Sequence, residues 1–212
     1  MQQKAIMLTV FLFFLLLGCT KQAPPENYFP IENAEKLEYS YVLSSSANGS
    51  QHEEKGILVI RPGSTKTIGS KECTSFSFEF NGEKDHSECY YSTKDGVMLA
   101  GRGFGLEKME VKPAMPLLKK PFTAGNTWSW VGKEGSISSS AEFETDGIET
   151  ITLGSQELEV LKVSSTVKRS DGVEMRSTKW FAGSLGLVKE QTTITNSNYP
   201  GQKMEVKIEL KL

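Results

Sequence analysis

Met204-Glu205-Val206-Lys207-Ile208-Glu209-Leu210-Lys211-Leu212 decides the fold, because across residues 204–212 an apolar side chain alternates with a charged one without a break. A period of two sends one set of side chains to a core and the other to water, the signature of a half-buried strand. Leu37, Tyr39, Tyr41 and Leu43 repeat the pattern, and so do Phe76, Phe78 and Phe80. Turn pairs punctuate the runs: Asn48-Gly49, Pro62-Gly63, Asn81-Gly82, Asp95-Gly96, Asp146-Gly147, Asp171-Gly172 and Pro200-Gly201. No stretch after residue 35 carries the apolar stripe of a capped helix. The expectation is an all-β domain over residues 31–212, with roughly ten to twelve antiparallel strands in a sandwich, an open barrel or a strongly curved sheet.

The first thirty residues read differently. Lys4 is the one charge ahead of the apolar run Ala5–Leu17, which only Thr9 interrupts. This fits the charged start and the apolar stretch of about 7–15 residues of a secretory signal, and it is shorter than the about 20 residues a spanning helix needs. The run ends in Leu16-Leu17-Gly18-Cys19, which resembles the lipobox of bacterial lipoproteins. That resemblance implies cleavage between Gly18 and Cys19, a diacylglyceryl thioether on the Cys19 sulfur, and acylation of the freed amine, typically by palmitate. A thiol is the nucleophile that takes the lipid, and a small residue leaves room at the cleaved bond. Each buried methylene contributes about 0.8 kcal/mol, so two or three chains anchor stably where one does not. Residues 19–30, polar and proline-rich after the cysteine, read as an extended tether. Thr20 lacks the acidic character that retains many enterobacterial lipoproteins at the inner membrane, which points to the outer membrane if the host has two.

Removing residues 1–18 takes away one lysine and leaves 23 basic against 26 acidic residues. A weakly acidic chain is a poor partner for nucleic acid and offers anionic headgroups no basic patch. The lipid has to do the anchoring.

With Cys19 lipidated, Cys73 and Cys89 remain as a pair in a compartment that permits oxidation. The segment between them reads as a hairpin about Asn81-Gly82. A three-residue loop at Phe80–Gly82, with Gly82 left-handed, would set Cys73 directly opposite Cys89 and make a disulfide natural. The rivals are a metal pair and a redox pair, but no second thiol or histidine sits at ligand spacing and there is no Cys-x-x-Cys.

Two sets of echoes suggest a duplicated β-unit with halves at about 28–118 and 119–212. Pro30, Ala34, Leu37 and Tyr39 are matched at the same offsets by Pro121, Gly125, Trp128 and Trp130. Ser92-Thr93-Lys94, Ala100-Gly101 and Gly105-Leu106 are echoed by Ser177-Thr178-Lys179, Ala182-Gly183 and Gly186-Leu187. Chance similarity among short strands is the competing explanation.

Gly125-Asn126-Thr127-Trp128-Ser129-Trp130, the later run from Thr178-Lys179-Trp180-Phe181-Ala182 through Gly186-Leu187-Val188-Lys189-Glu190, and the opening Tyr28-Phe29-Pro30-Ile31 resemble TapB-like uncharacterised exported bacterial lipoproteins. The chain departs from that pattern at Ala34 and Leu37, where Gly and Trp are usual. The resemblance covers residues 28–39 and 120–212. It implies a β-rich fold in a family without a known catalytic residue.

Catalytic chemistry finds little footing. His52 and His86 are the only histidines, each beside acids in what reads as polar loop or strand edge, a poor setting for a general base or a metal ligand. Ser44–Ser46 and Ser138–Ser140 read as solvent-facing, with no visible base. Gly101-Arg102-Gly103-Phe104-Gly105 lacks the following helix of a phosphate loop and reads as glycine at a strand turn or bulge. Glu142 with Glu144, and Glu157 with Glu159, fall two apart on one solvated strand face. Asn48-Gly49-Ser50 matches a glycosylation sequon but reads as a turn.

No catalytic residue, metal or cofactor is therefore expected. The sequence points to a non-catalytic, membrane-tethered module of the cell envelope that binds or assembles with an unidentified envelope protein. The alternative is a carrier of a hydrophobic ligand or of another lipoprotein's lipid, with an internal apolar cavity. Trp128, Trp130, Trp180 and Phe181 are its candidate wall, core packing being the ordinary role of such side chains.

Overall fold

The computed structural model describes residues 27–212 except 33, 48, 105 and 106, and leaves out the side chains of 104, 107 and 108. The signal segment, Cys19 and most of the tether lie outside the described residues, as does Asn48 of the first turn pair. Among the described residues twelve strands form: β1 (Leu37–Ala47), β2 (Ser50–Ile68), β3 (Lys71–Phe80), β4 (Glu83–Thr93), β5 (Gly96–Phe104), β6 (Glu107–Lys119), β7 (Thr127–Glu134), β8 (Ile137–Leu153), β9 (Gln156–Arg169), β10 (Val173–Ala182), β11 (Gly186–Asn196) and β12 (Lys203–Leu210). Each pairs antiparallel with the next, and β12 returns to β1.

Of the arrangements expected, the chain adopts a barrel, and a closed one. Closure runs through eight register pairs from Tyr39 opposite Leu210 to Ser46 opposite Lys203. Both closing strands alternate in the same phase, so Tyr41 meets Ile208 and Leu43 meets Val206 on the inner face while the charged partners stay outside. Among the described residues every strand has a paired neighbour on both sides, so the sheet offers no free edge strand. Apolar residues point in and Glu205, Lys207 and Glu209 point out, the inverse of a membrane-spanning barrel's lipid-facing exterior.

In such a meander the turns after even-numbered strands gather at one end, with the start of β1 and the close of β12. This proximal end is where the N-terminal segment sits. Tyr28 is 1% exposed and packs edge-on against Phe122 at 5.3 Å between ring centroids. Phe29 points into the barrel, 5.0 Å from Tyr90, 6.0 Å from Phe76 and 6.2 Å from Phe181. The Ser184 N–H donates to the Asn27 carbonyl at 3.1 Å, tying the segment to the β10–β11 turn. Residues 27–30, grouped with the tether because residues 20–30 are polar and proline-rich, pack onto the barrel, because two aromatic rings in a row gain more from burial than from solvation.

One seam is thin. β6 and β7 share only the pairs Val111–Glu134 and Lys112–Lys133. Pro113 and Pro116 follow on β6 and have no N–H to give a ladder. Their carbonyls are satisfied by side chains instead: the Trp130 indole N–H donates to Pro113 at 2.8 Å and the Trp128 indole to Pro116 at 2.9 Å. Gly132 makes room, since a Cβ there would lie 2.4 Å from the Trp130 ring and 2.6 Å from the Lys112 carbonyl oxygen.

The seam divides the barrel into β1–β6 and β7–β12, close to the 118/119 boundary of the candidate halves. The echo of Pro30, Leu37 and Tyr39 in Pro121, Trp128 and Trp130 falls on the lead-ins to β1 and β7. The second set does not align, since Ser92–Lys94 closes β4 while Ser177–Lys179 lies well inside β10.

Cys73 and Cys89 are disulfide-bonded, Cα atoms 5.5 Å apart. The hairpin differs from the expected one. Phe80 pairs with Glu83 across the two-residue turn Asn81-Gly82, with φ of 51° and 86°, the type I′ geometry. A bulge at Phe78/Glu79 then brings Ser75, not Cys73, opposite Cys89, so the bridge joins diagonal neighbours. It sits in a small cluster with Ala100, Ile68 and Tyr91, apart from the main core. Closing a loop of this length stabilises by about 3 kcal/mol in the chain-entropy picture.

Candidate functional site

The described residues leave part of the barrel interior open. A cavity of about 500 Å³ runs from Phe29 at the proximal end to Phe80, Val167, Met175, Ile194 and Val206 toward the other. Its size lies within the about 300–1,000 Å³ of small-molecule sites. Inward residues near the proximal end are closely buried, Tyr39 and Leu99 at 1% and Leu58 at 2%, whereas Phe80, Val167, Met175, Ile194 and Val206 are half-buried. Several inward residues are thus more deeply buried toward the proximal end than at the distal apolar rim, although the lining also reaches the exposed Glu35 and Ser184 proximally.

A charged belt crosses the lumen at mid-height. On β5 the Arg102 guanidinium donates from Nε to Glu88 Oε1 at 2.7 Å and from Nη1 to Glu134 Oε2 at 2.6 Å. The Tyr90 hydroxyl donates to the other Glu88 oxygen. On β10 and β11, Lys179 pairs with Glu190 at 3.4 Å, while Thr192 donates to Glu190 at 2.7 Å and contacts Ser177 at 2.7 Å. Burial pushes the Glu88 carboxyl up, but Arg102, followed by His86 and Lys179, outweighs burial and holds it below the usual carboxylate range. Burial likewise pushes the Arg102 guanidinium down, and Glu88 and Glu134 more than restore it. The Tyr39 phenol donates to the Leu187 carbonyl at 2.7 Å, and burial, followed by Glu190, raises its pKa far above the ordinary value.

The predicted wall is largely elsewhere. Phe181 lines the cavity. Trp128 and Trp130 face inward but are folded onto the β6 carbonyls, Trp128 stacking on Phe143 at 5.2 Å. Trp180 points out of the barrel, its N–H on Glu149 at 2.6 Å and the Lys162 and Lys189 ammonium groups 5.8 and 5.7 Å from its ring. It alternates with the inward-facing Lys179 and Phe181. The aromatic wall is instead Phe29, Phe76, Phe78, Phe80, Tyr90 and Phe181.

Other assignments shift as well. His86, read as polar edge, lies on the inner face of β4, stacked on Phe78 at 4.3 Å, with Nδ1 2.6 Å from Asp85. His52 is exposed near the start of β2. Ser139 is buried on the inner face of β8, because its parity within the strand is that of Ala141 and Phe143. Glu142, Glu144, Glu157 and Glu159 are exposed, as expected of a solvated face. Gly101 sits where Ala100 bulges from the ladder, and a Cβ on it would meet Ile68 at 2.7 Å and the Met109 carbonyl at 2.9 Å. A more open, polar concavity of about 890 Å³ is bounded by β7–β12, with Glu142, Arg176, Glu205 and Lys207 among its walls.

Sequence reasoning missed the belt: Glu88, Arg102, Glu134, Lys179 and Glu190. The available signal was phase. Glu88 falls between His86 and Tyr90 at a spacing of two, and Lys179 stands two before Phe181.

Neither a protein-family model nor a curated protein matches this chain, so the TapB-like resemblance gains no support from either. Two solved structures are similar to it. One is a protein described as exported, of YmcC-like fold, from Bacteroides fragilis NCTC 9343, at 11% identity over 84% of this chain and 96% of that one, with a TM-score of 0.35. The other is described as a lipoprotein from Parabacteroides distasonis ATCC 8503, at 12% identity over 90% of this chain and 100% of that one, with a TM-score of 0.38. At these scores neither likeness carries an argument about function.

Proposed function

We propose that this chain is a lipid-anchored protein of the cell envelope whose barrel holds a small hydrophobic or amphiphilic ligand, without catalysis. The cavity of about 500 Å³, lined by Phe76, Phe78, Phe80, Tyr90 and Phe181, carries the reading. A close-packed lumen would have favoured a module acting only through its outer surface. A roomy apolar lumen instead offers a water-insoluble molecule a place out of water, and each methylene moved there is favourable by about 0.8 kcal/mol. The charged start, the apolar run and Leu16-Leu17-Gly18-Cys19 support export and lipidation.

The test uses the mature chain with Cys19→Ser, which keeps every residue of the barrel and needs no detergent. Titration with N-phenyl-1-naphthylamine should give a saturable fluorescence rise. The double variant Val167→Phe/Val206→Phe narrows the distal rim and should remove that rise while leaving the far-ultraviolet circular dichroism unchanged. Absence of saturable binding by the unfilled barrel would refute a ligand-holding lumen.

A further inference from the structure

The cavity's charges select among amphiphiles. Its lining contains three carboxylates, Glu35, Glu88 and Glu190, against two permanent cations, Arg102 and Lys179. Both cations are already engaged. Arg102 is held between Glu88 and Glu134, and Lys179 is paired with Glu190. Glu134 adds a fourth carboxylate behind Arg102 on the inner face of β7. It is 5% exposed, and its Oε1 has no hydrogen-bond partner among the described residues. Around the belt stand Phe76, Phe78 and Tyr90, whose ring faces attract cations. An anionic head would enter a region already carrying excess negative charge and would have to break an existing ion pair to find a partner. A positively charged head would relieve the excess and find carboxylate and ring faces together.

Resting on the ligand-holding reading above, we infer that the barrel's occupant is an amphiphile with a positively charged ammonium head, held at the Glu88–Glu190 belt with its apolar tail along the aromatic wall. Glu190 is the carboxylate best placed to respond, because it faces the cavity and its partner Lys179 would be released if its charge were removed. Glutamine at that position keeps an acceptor for Thr192 and leaves the shape unchanged.

The experiment displaces N-phenyl-1-naphthylamine from the Cys19→Ser mature chain at neutral pH. The competitors are dodecylammonium and dodecanoate, of equal chain length, each below its micellar concentration. Dodecylammonium should displace the probe at a concentration about tenfold lower, as expected where one unit charge is out of balance in a low-dielectric site. Glu190→Gln should abolish or invert that preference, while Glu142→Gln on the outer face should preserve it. Equal or better displacement by dodecanoate overturns the inference, as does a preference that survives Glu190→Gln or an absence of displacement by either competitor. A probe that never binds fails the ligand-holding reading itself, a result distinct from a wrong head group.

Discussion

Glu88, Arg102 and Glu134 stand on β4, β5 and β7 with their charged ends inside a mostly apolar barrel, where an unpaired ion costs several kcal/mol. Their side chains are 12%, 22% and 6% exposed, so solvent screens the group little. Arg102→Leu leaves two carboxylates without their cation and is expected to cost about 3–5 kcal/mol at neutral pH, read as a lowered denaturant midpoint. The pH dependence has a definite sign. Since Arg102 holds the Glu88 pKa below its unfolded value of 4.5, the pair's contribution is present above that pH and lost as pH falls through the lower folded value. In Arg102→Leu the same carboxyl is buried without its guanidinium partner, so protonation relieves it. The stability gap between wild type and variant should therefore narrow from pH 7 to pH 4, and a gap of constant size would contradict the pairing. These residues were hard to see in the sequence for a physical reason. A strand's alternation tells which side chains share a face, but a charge on the apolar face looks like an interruption until its partner strand is known, and Arg102 finds Glu134 thirty-two positions away.

At the scale of elements, the β6–β7 seam shows how a short motif can be legible without its full role being so. Gly125, Trp128 and Trp130 stood out by type and spacing, and a core role was the ordinary reading. Trp128 and Trp130 are buried in the core as that reading had it, and their indole N–H groups also bridge to β6 where prolines prevent a backbone ladder. Trp130→Phe keeps the ring and removes the donor, leaving the Pro113 carbonyl unpaired. The expected cost is about 1–3 kcal/mol, with faster amide exchange on the strand segments flanking this seam than at the β8–β9 pairing, which spans Ser139–Leu153. Unchanged exchange at the seam would mean that the indole N–H groups do not hold it. The β3–β4 hairpin makes the complementary point. Asn81-Gly82 announced the turn and the cysteines announced the bridge, but the bulge at Phe78/Glu79 changed the register by an amount no dipeptide signal encodes.

At the scale of the whole molecule, the described N-terminal segment packs at the proximal end of the barrel, where Phe29 lies among Phe76, Tyr90 and Phe181. If Cys19 carries the lipid, the full-length chain should incorporate labelled palmitate and Cys19→Ser should not. Equal labelling of the variant, or no labelling of the wild type, would refute the anchor. The outcome separates location from binding, since the described lining of the cavity begins at Phe29. By itself the sequence determined that this protein is built of antiparallel strands with one wet and one dry face, because side-chain parity is a local property of extended backbone. It also pointed to the Cys73–Cys89 pair and to a lipid on Cys19 through residue type and spacing. Only the tertiary structure decided that the sheet closes, that the described residues leave a cavity in the lumen, and that five charges meet inside it. Those features depend on which strand lies beside which and on how the curved wall brings distant inward positions face to face, and long-range pairing leaves no local trace.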